Sequence, residues 1–118
     1  MTNIRAWLLK KGKQRYDMIR NYERYLPSIK KACEEILGEC EIYVFGSVIE
    51  GKFTAGSDVD ILIKAKRVPK SVREKASIIV RIEEKANLPY DHPFEFHLVD
   101  ESGFRWYTDV LKVKFRKL

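Results

Sequence analysis

The sequence has little of what would set it apart from ordinary globular proteins. Its 118 residues include two cysteines, four prolines and six glycines, too few for a disulfide framework, a collagen-like repeat or a low-complexity tract. Cys33 and Cys40 lie seven apart with no Cys-x-x-Cys and no neighbouring histidine. That spacing indicates no zinc site, and both cysteines read as small buried apolar residues in a reducing compartment. No apolar run approaches the ~18 residues of a membrane span, and Ala6-Trp7-Leu8-Leu9 before Lys10-Lys11 is too short for a signal-peptide core. These absences lead to the expectation of a cytoplasmic chain. Asn and Gln are also scarce (Asn3, Gln14, Asn21 and Asn87), a composition found in heat-adapted proteins.

What is present is a balance of apolar (45%), charged (34%) and aromatic (12%) residues suited to one buried core. At roughly 100–200 residues per domain, a single domain over 1–118 is expected, with a helical segment at 1–38, a sheet at 39–100 and a short helix with a basic tail at 101–118. The net charge of +6 is uneven: 1–38 carries +5, 39–65 carries −3, 66–90 carries +4 and 91–118 is neutral. A basic chain attracts polyanions without saying which. The acidic block between basic flanks is either a solvated loop or the place where chemistry happens.

From Tyr16 to Leu37 the apolar residues recur at helical spacing, and Pro27 within the run should kink the helix or begin a second one in its first turn. Gly38 supplies a stop. Tyr16, Tyr22 and Tyr25 could form a base-stacking platform, but their spacing favours packing in the core. Residues 41–45 and 59–63 read as short buried strands. Between Pro69 and Asn87 a second helix is expected to bury Val72, Ala76, Ile79, Ile82 and Ala86, with Ile78 and Val80 widening the apolar face. Residues 94–99 alternate as a strand, with Phe94, Phe96 and Leu98 on one face and Glu95, His97 and Val99 on the other. Residues 102–111 suggest a last short helix. This order makes an α/β (α+β) fold, a small mixed sheet covered by helices.

The acidic block contains Phe45-Gly46-Ser47, ten further residues, then Asp58-Val59-Asp60. Asp58 and Asp60, two apart on an expected strand, should share one face. Two carboxylates about 4 Å apart repel by about 4 kcal/mol at an effective dielectric near 20. Without a compensating cation that cost would raise one pKa or splay the side chains; a divalent metal removes it, and hard oxygen ligands suit Mg²⁺. The pair alone is also compatible with two surface aspartates capping backbone amides. Gly46-Ser47, closing a strand and opening a helical turn, offers outward amides suited to phosphate, although an ordinary turn would look the same.

Taken together, Gly46-Ser47-x10-Asp58-x-Asp60 resembles the signature of the polymerase-beta-like nucleotidyltransferase superfamily. It is most similar to the minimal single-domain members (MNT proteins) that are paired with HEPN-domain proteins in toxin–antitoxin modules. Ser57, Glu50 and Gly51 also look like the family pattern.

The resemblance implies that Gly46 and Ser47 hold a nucleoside triphosphate and that Asp58 and Asp60 bind two Mg²⁺ ions. It further implies a third carboxylate on a later strand. Glu95 is the candidate, with Asp100 and Asp91 as alternatives. Ser57 and Lys52 are candidates for the nucleotide side, and His97 for orienting substrate; His92 reads as a turn residue. The implied reaction moves a nucleoside monophosphate, AMP from ATP foremost, onto a hydroxyl of a HEPN-type partner protein. A chain of this length holds the catalytic part only, so a partner or a homo-oligomer must supply selectivity. Two alternatives stand beside it. One is a non-catalytic antitoxin that binds its partner through the basic helices and Phe104, Trp106 and Tyr107. The other is transfer to RNA, motivated by Lys112, Lys114, Arg116 and Lys117.

Overall fold

A computed structural model describes residues 3–118; Met1 and Thr2 of the expected helical segment lie outside them. Helix α1 (Ile4–Arg20) starts at Asn3, whose side chain accepts a hydrogen bond from the Ala6 amide. A short 3-10 turn at Tyr22–Tyr25 leads into α2 (Leu26–Leu37). Pro27 sits in the first turn of α2, where its missing N–H costs nothing, and Gly38 ends the helix with a φ of 74°. Next come β1 (Cys40–Phe45), the single turn α3 (Ser47–Glu50), β2 (Val59–Ala65), α4 (Val72–Lys85) and β3 (Phe94–Val99). The chain closes with α5 (Glu101–Arg105), a π-helical turn at Trp106–Val110 and β4 (Phe115–Lys117). Ser71 caps α4 by accepting from the Glu74 amide.

The four strands form one mixed sheet in the order β3-β2-β1-β4. β1 is antiparallel to β2 and to β4, while β2 and β3 are parallel and joined by the α4 crossover. One face carries Ile42, Val44, Val59, Ile61, Ile63, Phe94, Phe96 and Leu98 against Ile19 of α1, Ile29 and Cys33 of α2 and Ile82 of α4. The other face is aromatic. Tyr43 lies 5.0 Å from Phe104 and 5.5 Å from Phe115, and Phe45 lies 5.7 Å from both Phe115 and Tyr107, measured between ring centroids. Burying one whole face and half of the other explains why β2 is apolar at Leu62 as well as at its odd positions.

Several expectations are corrected. The tail is not a free basic segment: Phe115–Lys117 pairs with β1, Arg116 is held by Glu23 at 2.7 Å, and Lys117 by Glu41 at 3.1 Å. In α4, Val72 and Val80 are exposed by 83% and 49%, so the buried stripe narrows to Ile82 and Ala86, with Ile78 and Ile79 at its edges. Tyr22 is buried and Tyr25 half-buried, as a core role requires, but Tyr16 stays on the surface against Phe53. Helix α1 begins well before Tyr16, and its first turns expose Ile4, Trp7, Leu8 and Leu9.

Cys33 is fully buried, and burial pushes its thiol up to about 12; Cys40 at the start of β1 is half-buried and its thiol is also raised, again by burial. At pH 8 the Cys33 thiolate is then only about 10⁻⁴ of the population. Alkylation followed by mass spectrometry should label Cys40 first and Cys33 only in denaturant. Labelling of native Cys33 at the unfolded-chain rate would contradict its place in the core.

Candidate active site

The parallel register of β2 and β3 sets Asp60 opposite Glu95 and Leu62 opposite His97. Strand alternation turns Asp60, Glu95 and His97 to the aromatic face. His97 Nε2 lies 3.3 Å from Asp60 Oδ1 and 3.9 Å from Glu95 Oε1. One donor atom from each of the three lies within 4.8 Å of the other two, and among the described residues this is the group able to close on one metal ion.

Gly46 follows β1 with a φ of 89°, a conformation that side chains disfavour. A Cβ there would come within 2.3 Å of Asp60 Oδ2. Glycine is thus required twice, for its dihedral and for the close approach of the Asp60 carboxylate. Ser47 opens α3, and its carbonyl accepts from the Lys52 amide at 2.9 Å, folding the turn back on itself. The Gly46-Ser47 turn and the β2 carboxylate are therefore in contact, although the residues between them form a loop of irregular backbone.

Asp58 departs from the expected geometry. It immediately precedes β2, is exposed, and is not one of the three groups that close around His97, although its carboxyl reaches that of Glu95. The physical cause is Arg15 of α1, whose Nη2 donates to Asp58 Oδ1 at 2.7 Å and to the Ser57 carbonyl at 2.9 Å, while its Nε donates to the Ala55 carbonyl at 3.0 Å. Arg15 thus balances the charge of Asp58, while Asp60 and Glu95 have only His97 beside them. Nothing in the local sequence marks Arg15, which is 43 residues from Asp58.

Burial raises the Glu95 carboxyl above the ordinary glutamate value, the charges of Asp60 and Asp58 add to this, and His97 opposes it. A carboxylate so placed holds a proton more readily than a free glutamate. The Tyr107 hydroxyl, 3.4 Å from His97 Nδ1, is also raised, by burial and by the Asp60 and Glu95 charges, and so stays a neutral phenol. Tyr107 reaches the site from the π-helical turn, and Phe45 packs against both rings, 5.3 Å from His97 and 5.7 Å from Tyr107. Tyr107 belongs to the segment that the binding-module alternative assigns to a partner. The structure turns Phe104 and Tyr107 onto the sheet and leaves Trp106 half exposed.

The remaining candidates are placed as follows. Ser57 Oγ accepts from the Thr54 amide at 2.9 Å and shapes the loop before Asp58. Lys52 is exposed on the turn after α3. Asp91 pairs with Lys11 at 3.3 Å, and Asp100 caps α5 by accepting from the Gly103 amide at 2.9 Å, so neither joins the Asp60 group. His92 is a turn residue that ties Glu83 of α4 to the start of β3 by accepting from the Phe94 amide at 3.0 Å.

A four-stranded mixed sheet under helices, with carboxylates gathered beside a strand–Gly-Ser–helix turn, is a polymerase-beta-like nucleotidyltransferase fold. The chain belongs to the nucleotidyltransferase domain family, whose model matches residues 26–113. It is 30% identical to a protein of known crystal structure called a "putative nucleotidyltransferase", with a TM-score of 0.59 over 79% of this chain and 96% of that one. A second crystal structure of the same description, from Sulfolobus solfataricus, is 24% identical and shares the fold with a TM-score of 0.51 over 85% of this chain and 82% of that one. No curated protein matches the chain. Family membership makes this a transferase acting on a nucleotide. The matched span starts at Leu26, so α1 and its Arg15 lie outside it. Among the described residues no helix is long and apolar enough to cross a membrane.

Proposed function

We propose that the chain, acting as a single domain, transfers a nucleoside monophosphate, AMP from ATP foremost, to a hydroxyl of a HEPN-type partner protein, in the manner of a minimal nucleotidyltransferase from a toxin–antitoxin pair. The observation that carries this reading is the contact of the Asp60 carboxylate with Gly46, which brings the acidic group and the Gly-Ser turn into one site. Asp58, Asp60 and Glu95 would hold the divalent metal, two Mg²⁺ in the family pattern. The bound metal would neutralise the triphosphate and lower the pKa of the acceptor hydroxyl.

The chain's own residues supply the rest. Gly46 leaves room for a phosphate at the turn, and Ser47 offers a hydroxyl beside it. Lys52, exposed on the turn after α3, would add positive charge to the nucleotide side. Ser57 fixes the loop that presents Asp58, and Arg15 holds that carboxylate in place until it is needed. The acceptor oxygen attacks the α-phosphorus, the bond to the β-phosphate oxygen breaks, and pyrophosphate leaves. Glu95, on the strand beside Asp60, would help hold the metal on the acceptor side and stand within reach of the acceptor proton.

The test is incubation with α-labelled nucleoside triphosphates, Mg²⁺ or Mn²⁺, and either the protein encoded beside it or tRNA as acceptor. Label on the protein with release of pyrophosphate is expected, and the Asp58→Ala, Asp60→Ala double variant should show none. Label on tRNA alone would move the acceptor to RNA, a reading weakened by the pairing of Arg116 and Lys117 within the fold. No label on either acceptor would leave a binding module, for which the exposed Ile4, Trp7 and Leu8 of α1 offer a contact surface.

A further inference from the structure

The three donors that converge in this site are not all oxygens. His97 Nε2 faces both carboxylates, at 3.3 Å from Asp60 Oδ1 and 3.9 Å from Glu95 Oε1. Ligands at about 2.0–2.3 Å from a common cation lie about 3 to 4.4 Å from one another, and these spacings fall within that range. The imidazole is also held as metal-bound imidazoles are. Its other nitrogen, Nδ1, meets the Tyr107 hydroxyl at 3.4 Å, and Phe45 packs against the ring. Each nitrogen thus has a polar neighbour, the carboxylates for Nε2 and the Tyr107 hydroxyl for Nδ1. His92 is occupied with Glu83 and the Phe94 amide, so His97 is the histidine that supplies nitrogen to this site.

Resting on the nucleotidyl-transfer reading, we propose that His97 Nε2 is a ligand of the divalent cation held by Asp60 and Glu95, and that this mixed carboxylate–imidazole set selects manganese-class transition ions over magnesium. Carboxylates suit Mg²⁺ and Mn²⁺ alike, whereas imidazole adds affinity for Mn²⁺, Co²⁺ and Zn²⁺ and little for Mg²⁺. Asp58, bound to Arg15 outside this group, is left to a second ion or to the nucleotide-bound one. Tyr107 is a positioning residue: when Nε2 is a ligand, Nδ1 carries the proton and donates it to the phenol oxygen, which keeps the ring edge turned to the cation.

The experiment is pulsed electron paramagnetic resonance on the full chain loaded with Mn²⁺ and a triphosphate analogue that cannot be cleaved between the α- and β-phosphorus. With Mn²⁺ kept below one equivalent, a ¹⁴N coupling reports a nitrogen ligand on the bound ion, and a ³¹P coupling reports nucleotide on bound Mn²⁺. Both are expected in the wild type, and only ³¹P in His97→Gln. By calorimetry, His97→Gln should weaken Mn²⁺ binding about 10- to 100-fold while leaving Mg²⁺ affinity within about threefold. A ³¹P coupling without ¹⁴N in the wild type would overturn the ligand assignment and leave nucleotidyl transfer standing. A ¹⁴N coupling without ³¹P would support the ligand and remove the nucleotide from the site. Neither coupling would overturn both. Equal weakening of Mn²⁺ and Mg²⁺ in the variant would reduce His97 to a structural support. A wild-type spectrum without ¹⁴N rules out the ligand even if the variant folds poorly, and ¹⁵N-histidine labelling of the wild type, which should replace the ¹⁴N coupling by a ¹⁵N one, assigns it without the variant.

Discussion

Asp60→Asn is expected to lower nucleotidyl transfer by about 10³-fold or more while leaving the fold intact. The change keeps shape and hydrogen-bonding capacity but removes the charge that sits 3.3 Å from His97 and against Gly46. If metal and phosphate charge are stabilised at this point in the transition state, loss of that charge falls on the rate rather than on the structure, with a magnitude of about 10³ typical of a central electrostatic group. The same change should leave the melting temperature level or raise it by about 1–3 °C, because it relieves repulsion among Asp58, Asp60 and Glu95. The Glu95 carboxyl, held up in part by the Asp60 charge, should drop toward the ordinary range, as ¹³C-detected titration would show. A rate loss below about tenfold would move the reacting centre elsewhere.

Gly46→Ala is expected to be costly in both respects. Its Cβ would lie 2.3 Å from Asp60 Oδ2, on a backbone with φ of 89°. The dihedral alone costs about 1–2 kcal/mol for a non-glycine residue, and the contact forces Asp60 out of its rotamer. A total destabilisation of about 2–4 kcal/mol by denaturant unfolding, with a loss of about 10²-fold or more in activity, follows. Gly51→Ala is a control for positive φ without the contact: its backbone is left-handed helical (φ 71°, ψ 19°), a milder conformation than that of Gly46 (φ 89°, ψ −159°), and nothing lies within 4 Å of the added Cβ, so a loss of about 1 kcal/mol with activity retained is expected. Equal activity in both variants would separate Asp60 from the chemistry.

The elements whose periodicity is governed by one core face are legible in the sequence. The alternation of residues 94–99 maps onto β3 residue for residue, and Pro27 marks the start of α2. The Gly-Ser turn beside Asp60 is likewise visible, because it is local to one strand end, whereas Asp58, read as on the same strand, lies just before it. What is not legible depends on contacts across the fold. Arg15 meets Asp58 only because α1 packs where it does, and Tyr107 meets His97 only because a π-helical turn rotates it inward. The basic residues of 112–118 mask a three-residue strand whose pairing is set by Phe115 on the aromatic face. In α1, Ile4, Trp7 and Leu8 have helical spacing but no partner in the fold, so pattern alone overstates burial there.

The parallel pairing of β2 and β3 has a consequence for folding. Side chains alternate with a period of two, so sliding β3 by one residue would bring Phe94 or Phe96 beside Asp60 and drive Glu95 and His97 into the apolar layer. One alignment alone buries the two phenylalanines and gathers the acidic group at the same time. The two strands are joined through α4 and must find this alignment over a long separation, among the slower events of folding. Core and site therefore share one register, so a one-residue slip that exposes the phenylalanines also dismantles the acidic group.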